Sequence, residues 1–491
     1  MGLSIDRSDF AADEYVAASA KQRECLTALE RLLHRPGFGE GPASLGAELE
    51  MSLIDANANA LPLNREVLAE VADPHLQLEL DRFNLEYNAT PVAAAGKPFE
   101  HIEQELTGAL SRIDAAAGKF GGAAIAVGIL PTLTLSQLQD NAITDLPRYV
   151  ALSEGVKKIR GEHFHIRIDG AEPLDQRCEH VTIEGANTSF QLHLRVNPAD
   201  FAATFNAAQL VTPVALAISS NSPYFIGHSL WDETRVALFK QSVDTRGASS
   251  HEWRRVARVP FGHGWVRASA LELFAESVLL YPTLIPVCSD EDPVGIVEEG
   301  GTPELAELRL QQSTIWNWNR AVYDSAAGGH LRIEFRALPS GPTPVDMMAN
   351  AAFLLGLTYG FRDLIDHLVP ALPFRYAEYN FYRAAQRGLD AELLWPDLED
   401  ESPKALPVRK LCRDLLPVAE SGLDKLGIDA QEQKRLLDII RDRLQCSVTP
   451  ARWQRQHVSA SRKGDRWEAL ADMVQDYQKN SKTGTPTSQW T

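Results

Sequence analysis

The chain has 491 residues, of which 44% are hydrophobic and 23% charged, enough for one large globular domain or two ordinary ones. Its formal net charge of −18 lacks the basic footprint of a general nucleic-acid binder, so no nucleic-acid partner is expected, although metal ions and local Arg residues still allow an anionic nucleotide. Five scattered cysteines without a CxxC pair, an N-terminus without an apolar leader and no apolar run of about 18 residues predict reduced thiols, a cytoplasmic protein and no membrane span.

Residues 9–35 read as a helix, with Leu26, Leu29, Leu32 and Leu33 near helical spacing, and HRPGFGEGPAS ends it. Short strands of alternating character follow, mixed with helices at 98–117 and 198–218. The nearly apolar stretch 345–368 predicts a deeply buried helix. From about residue 400 the pattern turns helical to near residue 480, and the polar end NSKTGTPTSQWT reads as frayed. The expected organisation is an N-terminal helical segment (1–40), a catalytic domain (41–395), a helical C-terminal extension (396–480) and a disordered tail (481–491). DLEDESPK reads as a solvated linker.

Five of the strands carry chemistry. Alternate residues of a strand share a face. In GAELEMSLID, Glu48 and Glu50 oppose Leu49 and Met51. In RFNLEYNATP, Asn84, Glu86 and Asn88 oppose Phe83, Leu85 and Tyr87. GEHFHIRIDG aligns His163, His165 and Arg167; SFQLHLRVN aligns Gln191, His193 and Arg195; HLRIEFRAL aligns Arg332, Glu334 and Arg336. Any one of these suits a sheet with a solvated face. Together they present Glu, His, Asn and Arg with no Lys, a set suited to metal ions and to clamping phosphates or carboxylates. Two carboxylates about 4 Å apart repel by roughly 1 kcal/mol in water and about 4 kcal/mol at an effective dielectric of 20, a penalty that bound divalent cations remove.

The ordered set resembles the glutamate–cysteine ligase and carboxylate–amine ligase family over roughly residues 45–365. GAELEMSLID is similar to its Glu-x-Glu strand, and SFQLHLRV to its His-bearing strand. ALAISSNSPYFIGHSLWDETR is similar to its helix, Asn-Ser-Pro turn and following Arg, and HLRIEFRALPSGPTPVD to its late Glu-x-Arg strand. The resemblance implies an α+β fold with a curved antiparallel sheet of glutamine synthetase-like type, helices on its convex side and the helical extension appended. It implies Glu48, Glu50, Glu86, His193 and Glu334 as ligands of Mg2+ or Mn2+. Arg235 and Arg336 would be catalytic; Arg235, Asn221, Arg332 and Arg336 would contact nucleotide or substrate. The implied reaction joins an acid to an amine through an acyl phosphate, using ATP and releasing ADP, with glutamate and cysteine as the expected amino-acid substrates on the route to glutathione. A homo-oligomer is compatible with it.

The chain departs from the family at Gly128-Ile129-Leu130-Pro131, where many relatives have Gly-Thr-His-Pro; His163 and His165 are either stand-ins or an ordinary polar strand. His251 and His263 read as substrate loop or surface loop, and Trp316 and Trp318 as pocket wall or packing. The alternatives are the same chemistry on another acid or amine, an inactive nucleotide- or amino-acid-binding relative, and a metal-dependent hydrolase.

Overall fold

The computed structural model describes residues 5–247, 255–396 and 403–490. His251 and most of the expected linker DLEDESPK lie outside them. The strands of the described residues, in chain order, are β1 (Ser44–Asp55), β2 (Leu76–Leu78), β3 (Asn84–Asn88), β4 (Val92–Ala93), β5 (Gly122–Ile125), β6 (Phe164–Ile168), β7 (Leu174–Cys178), β8 (Phe190–Val196), β9 (Tyr224–Phe225), β10 (His228–Ser229), β11 (Asn319–Asp324), β12 (His330–Phe335), β13 (Glu392–Trp395) and β14 (Lys404–Pro407). Eight of them form one antiparallel sheet in the order β11-β12-β8-β1-β3-β2, with β4 and β5 also pairing with β1. The sheet curls into a half-barrel, the α+β architecture expected.

Alternation decides which face is covered. Leu45, Ala47, Leu49, Met51 and Leu53 of β1, with Leu192, Leu194, Leu331 and Ile333, point to the helices and are fully or nearly fully buried. Helices Pro98–Lys119, Phe201–Ser219 and Pro344–Arg362 cover that face. Thr343 caps the last of these, its hydroxyl accepting from the Asp346 N–H at 3.1 Å, and Pro344 sits at the first helical position, where a missing N–H costs nothing. Pro198–Ser219 is apolar and long enough to cross a membrane, but its most apolar window is 89% buried inside the protein, as suits a core helix.

The C-terminal helices share this core. Helix Val408–Leu426 lies against Pro344–Arg362 at a contact that only small residues permit: a Cβ on Gly422 would come 1.8 Å from the Gly356 carbonyl oxygen, and one on Gly356 would come 2.5 Å from that of Ala419. Helices Pro450–Ala460 and Arg466–Ser481 bury Trp453, Met473 and Tyr477 in a second apolar cluster. Residues 481–490, expected to be disordered, are seated instead. Thr487 is buried, its N–H and hydroxyl donate to the Asp346 carboxylate, and Trp490 packs edge-on to Trp453 and Tyr477.

Candidate active site

The uncovered face of the half-barrel carries the polar side chains. Register sets them in rows. Arg320, Glu334, His193 and Gly46 lie in one row across β11, β12, β8 and β1. Gln191, Glu48 and Asn88 form the next, and Glu50, Glu86 and Gln77 the one after that. They line a cleft of about 330 Å3 whose further walls include Glu79, Arg148, Glu184, Trp316, Arg332 and Arg336.

At one end the charges are matched. Arg320 grips Glu334 with both ends of its guanidinium at 2.8–3.0 Å, and Arg336 donates to Glu334 and Gln191. Burial alone would raise the Glu334 carboxyl, but Arg320 and then Arg336 hold it far below the ordinary carboxylate range. His193 Nε2 stands 3.0 Å from Glu48 Oε1. His193 is 8% exposed, and neither ring nitrogen meets hydrogen-bond geometry. Burial pushes Glu48 up, His193 pulls it down, and the carboxyl ends below its usual value. Ligand atoms of Glu48, His193 and Glu334 all lie within 4.8 Å of one another. One imidazole and two carboxylates in that space, with an otherwise unsatisfied buried imidazole, suit a divalent cation.

At the other end carboxylates crowd, and among the described residues no Lys or Arg comes within 4.0 Å of Glu50, Glu79, Glu86 or Glu184 to pair with them, although Arg148 and Arg336 stand nearby. Glu50 accepts from the Ser189 N–H at 2.6 Å and the Gln191 amide at 2.8 Å. Burial, with the Glu79 charge adding to it, pushes Glu50 up to about 7 and Glu184 up to about 8. Glu79 and Glu86 are also raised, first by burial; the charges of Glu48, Glu79 and Glu50 push Glu86 further. Such a cluster either holds protons or takes up metal.

The expected residues Glu48, Glu50, Glu86, His193, Arg332, Glu334 and Arg336 thus line one cleft. Arg235 and Asn221 lie behind its floor. Arg235 is 1% exposed and engaged with Glu233 and the Ala337 carbonyl oxygen, both at 2.6 Å, because Glu233 two residues earlier claims its guanidinium inside the core. Asn221 donates to the Ser340 carbonyl oxygen and Tyr477, and accepts from Gln454. Ser340 in turn donates to the Glu50 carbonyl oxygen. Both residues brace the site from behind. His163 and His165 stand outside the cleft: β6 pairs with β7 in a separate hairpin, where His165 and Arg167 meet Asp175. Ile129 and Leu130 are fully buried core residues. Trp316 lines the cleft, Trp318 packs behind it over Arg235, and His263 pairs with Tyr281 elsewhere.

Sequence reasoning missed Glu79, Glu184 and Arg320. Glu79 continues the alternation of Gln77 one residue past β2 and was open to detection that way. Glu184 sits in a short helical turn, Val181–Ala186, and no local pattern marks it.

Residues 44–476 match Glutamate-cysteine ligase family 2 (GCS2). A Mycobacterium ulcerans protein named "Putative glutamate–cysteine ligase 2" is 23% identical over 83% of this chain and 90% of its own length. A Trichormus variabilis protein of the same name is 25% identical over 50% of this chain, a match spanning about half, 54%, of that relative. Among solved structures, glutamate–cysteine ligase from Francisella tularensis in complex with AMP superposes with a TM-score of 0.54 at 11% identity, covering 91% of this chain and 90% of that one, which shows a shared fold.

Proposed function

The chain belongs to glutamate–cysteine ligase family 2, and from that we propose that it is an ATP- and divalent-metal-dependent carboxylate–amine ligase, with glutamate and cysteine as the first pair to test. The observation that carries this reading is the cleft itself: carboxylates, one imidazole and paired guanidiniums on a single sheet face.

Glu48, His193 and Glu334 would hold one divalent ion, with Glu50, Glu79 and Glu86 offering oxygen ligands for others. Such ions neutralise phosphate charge as it is transferred. The protein's own part is positioning and electrostatics. Arg336, fixed by Glu334 and Gln191, keeps a cation at the balanced end for a phosphoryl or acyl-phosphate oxygen. Arg332, which pairs with Asp324 at 3.3 Å, offers a second. A substrate carboxylate oxygen attacks the terminal phosphorus of ATP, and ADP leaves. The amine nitrogen then bonds to the acyl carbon, the carbon–oxygen bond to phosphate breaks, and the amine's extra proton passes to a cleft carboxylate. Glu184, which lies outside that ligand set, suits that last task, since its proton affinity lies near neutral pH. The reading also carries a cytoplasmic location, where ATP and reduced thiols coexist.

The test is ADP release from purified protein with ATP and Mg2+ across a grid of acids and amines. ADP formation requiring both glutamate and cysteine fixes the activity; another productive pair keeps the reaction and changes the substrates. If ATP binds and no combination yields ADP or an amide, the ligase reading fails in favour of a binding protein. Phosphate or ammonia released without an amine partner points to a hydrolase.

A further inference from the structure

A separate cavity of about 430 Å3 shares no lining residue with the cleft. Helix Phe374–Arg387 brings Tyr379, Arg383 and Arg387 to it, spaced four residues apart and therefore on one helix face. Arg409 reaches it from the start of helix Val408–Leu426, and Leu389 and Ala391, each 1% exposed, give it an apolar floor. The whole chain carries −18, yet three arginines line this cavity against two acids. One of the acids, Asp390, is already engaged: Arg409 donates to one of its oxygens at 3.2 Å and Arg452 pairs with the other. That leaves Arg383 and Arg387 with Glu392, and among the described residues neither guanidinium has a carboxylate within 4.0 Å.

Two of the three guanidiniums are held in place. Arg383 donates from Nε to the Tyr379 hydroxyl at 3.2 Å and from Nη1 to Gln386 at 3.1 Å, which leaves Nη2 open. Arg409 also donates to the Ser447 hydroxyl at 2.6 Å and the Leu389 carbonyl oxygen at 3.4 Å. Arg387 is exposed and makes no hydrogen bond or ion pair among the described residues. Its place in the last helical turn has a local reason, since a cation there suits the helix dipole. That reason does not extend to Arg383, one turn earlier, where two like charges repel. Held guanidiniums match phosphate oxygens in pairs, and their ordering cost is met before anything binds. The Tyr379 ring, 44% exposed, adds a face for a planar or apolar group, and the volume suits a small organic molecule rather than a lone ion. We propose that this cavity binds a small organic phosphate, with the phosphate on Arg383, Arg387 and Arg409 and the organic part against Tyr379.

The end of the same helix touches the brace behind the cleft. The Ala385 carbonyl oxygen accepts from the Glu233 N–H at 2.9 Å, and Glu233 holds Arg235. Gly388, next to Arg387, leaves no room for a Cβ beside Asp232. An anion drawn onto Arg387 thus acts one residue from a packed contact that leads to the cleft floor. The phosphate site stands on its own geometry; its use as an effector seat rests on the ligase reading.

The experiment is calorimetric titration of the full chain, without nucleotide or metal, with phenyl phosphate as the probe and inorganic phosphate and phenol as its two halves. Ionic strength is held constant, because salt screens exposed arginines. Phenyl phosphate should bind more tightly than phosphate, and phenol should not bind. Arg383→Gln combined with Arg387→Gln should raise the dissociation constant about tenfold or more, the loss expected when charged hydrogen bonds are removed. Arg387→Gln alone serves if the double variant does not fold. Tyr379→Ala should bring phenyl phosphate down to the affinity of phosphate. Arg332→Gln, which alters the cleft, should leave the binding unchanged. No saturable binding overturns the proposal, and so does binding that survives both arginine substitutions and is lost with Arg332→Gln, which would place the phosphate in the cleft. Equal affinity for phosphate and phenyl phosphate overturns the organic part. ADP release that responds to phenyl phosphate in the wild type and not in Arg387→Gln supports the effector seat; binding without that response keeps the site and removes the effector role. Because the titrations need neither ATP nor an amine, failure of the ligase reading leaves them intact.

Discussion

The two ends of the cleft are built from the same residue type with opposite electrostatics. Glu334 is 1% exposed and ionised, because Arg320 and Arg336 surround it. Glu86 and Glu184, a few strands away, face other carboxylates and are driven toward their protonated forms. At the balanced end Glu334 is already neutralised by the protein's own Arg320 and Arg336, whereas the carboxylates of the acidic end have no such pairing. Removing one carboxylate should therefore have opposite consequences for stability at the two ends and similar consequences for catalysis.

The largest effect is expected at the balanced end. Glu334→Gln leaves Arg320 and Arg336 without their shared counter-charge and removes a candidate metal ligand. Breaking one side of a buried pair costs about 3–5 kcal/mol. Turnover should fall by roughly a thousandfold or more, in keeping with the several kcal/mol that a metal supplies to such a transition state. Urea unfolding and steady-state ADP release measure the two losses; a variant with wild-type stability and turnover would remove Glu334 from the site.

Glu86→Gln should contrast with it. The substitution relieves repulsion from Glu48, Glu79 and Glu50, so the metal-free protein should unfold at the same or a higher temperature than the wild type. Its Mn2+ affinity should nevertheless fall about 10- to 100-fold, the range seen when groups supporting a metal site are lost. A lower Tm without metal would show that Glu86 is already compensated, and the contrast between the ends would collapse.

The pH dependence follows from the same cluster, and its sign is fixed. Glu50 at about 7 and Glu184 at about 8 are raised above the ordinary carboxylate value of 4.5. A raised carboxyl favours folding while it is protonated, so this contribution is complete below about 4.5 and is lost as pH climbs through 7–8. Metal-free protein should thus lose stability between pH 5 and pH 9. Mg2+ should restore more of it at the alkaline end, because ligands bind metal in their deprotonated form. Scanning calorimetry with EDTA and with Mg2+ at several pH values tests this; an equal Mg2+ shift in Tm at pH 5.5 and 8.5 would contradict it.

Much of the site was legible because a strand's two-residue period is rigid. Once Leu49 and Met51 go to the core, Glu48 and Glu50 must face the other way, and the same holds for His193 between Leu192 and Leu194. Period cannot say which strands are neighbours. Glu79 lies one residue beyond a three-residue strand, and Glu184 sits in a turn, so both enter the cleft only through tertiary packing. Arg235 misled for a related reason: its partner Glu233 is two residues away in sequence, yet the pairing is inside the core, where hydrophobic periodicity gives no warning.

His165 and His193 show the limit most directly. HFHIRI and FQLHLRV alternate alike, and each carries a His-x-Arg pair opposite apolar residues. β8 has β1 and β12 on its two sides, which places His193 between Glu48 and Glu334. Among the described residues β6 pairs with β7 alone, and its polar face meets solvent and Asp175. An exposed pair of this kind is worth about 0–1 kcal/mol, since solvent and salt screen it. His165→Ala should change stability by no more than about 0.5 kcal/mol and kcat/KM by less than about twofold, whereas His193→Ala should approach the loss seen with Glu334→Gln. Measuring both variants under identical Mg2+ and ATP separates position in the sheet from strand pattern. A large loss with His165→Ala would bring the β6–β7 hairpin into the catalytic cycle.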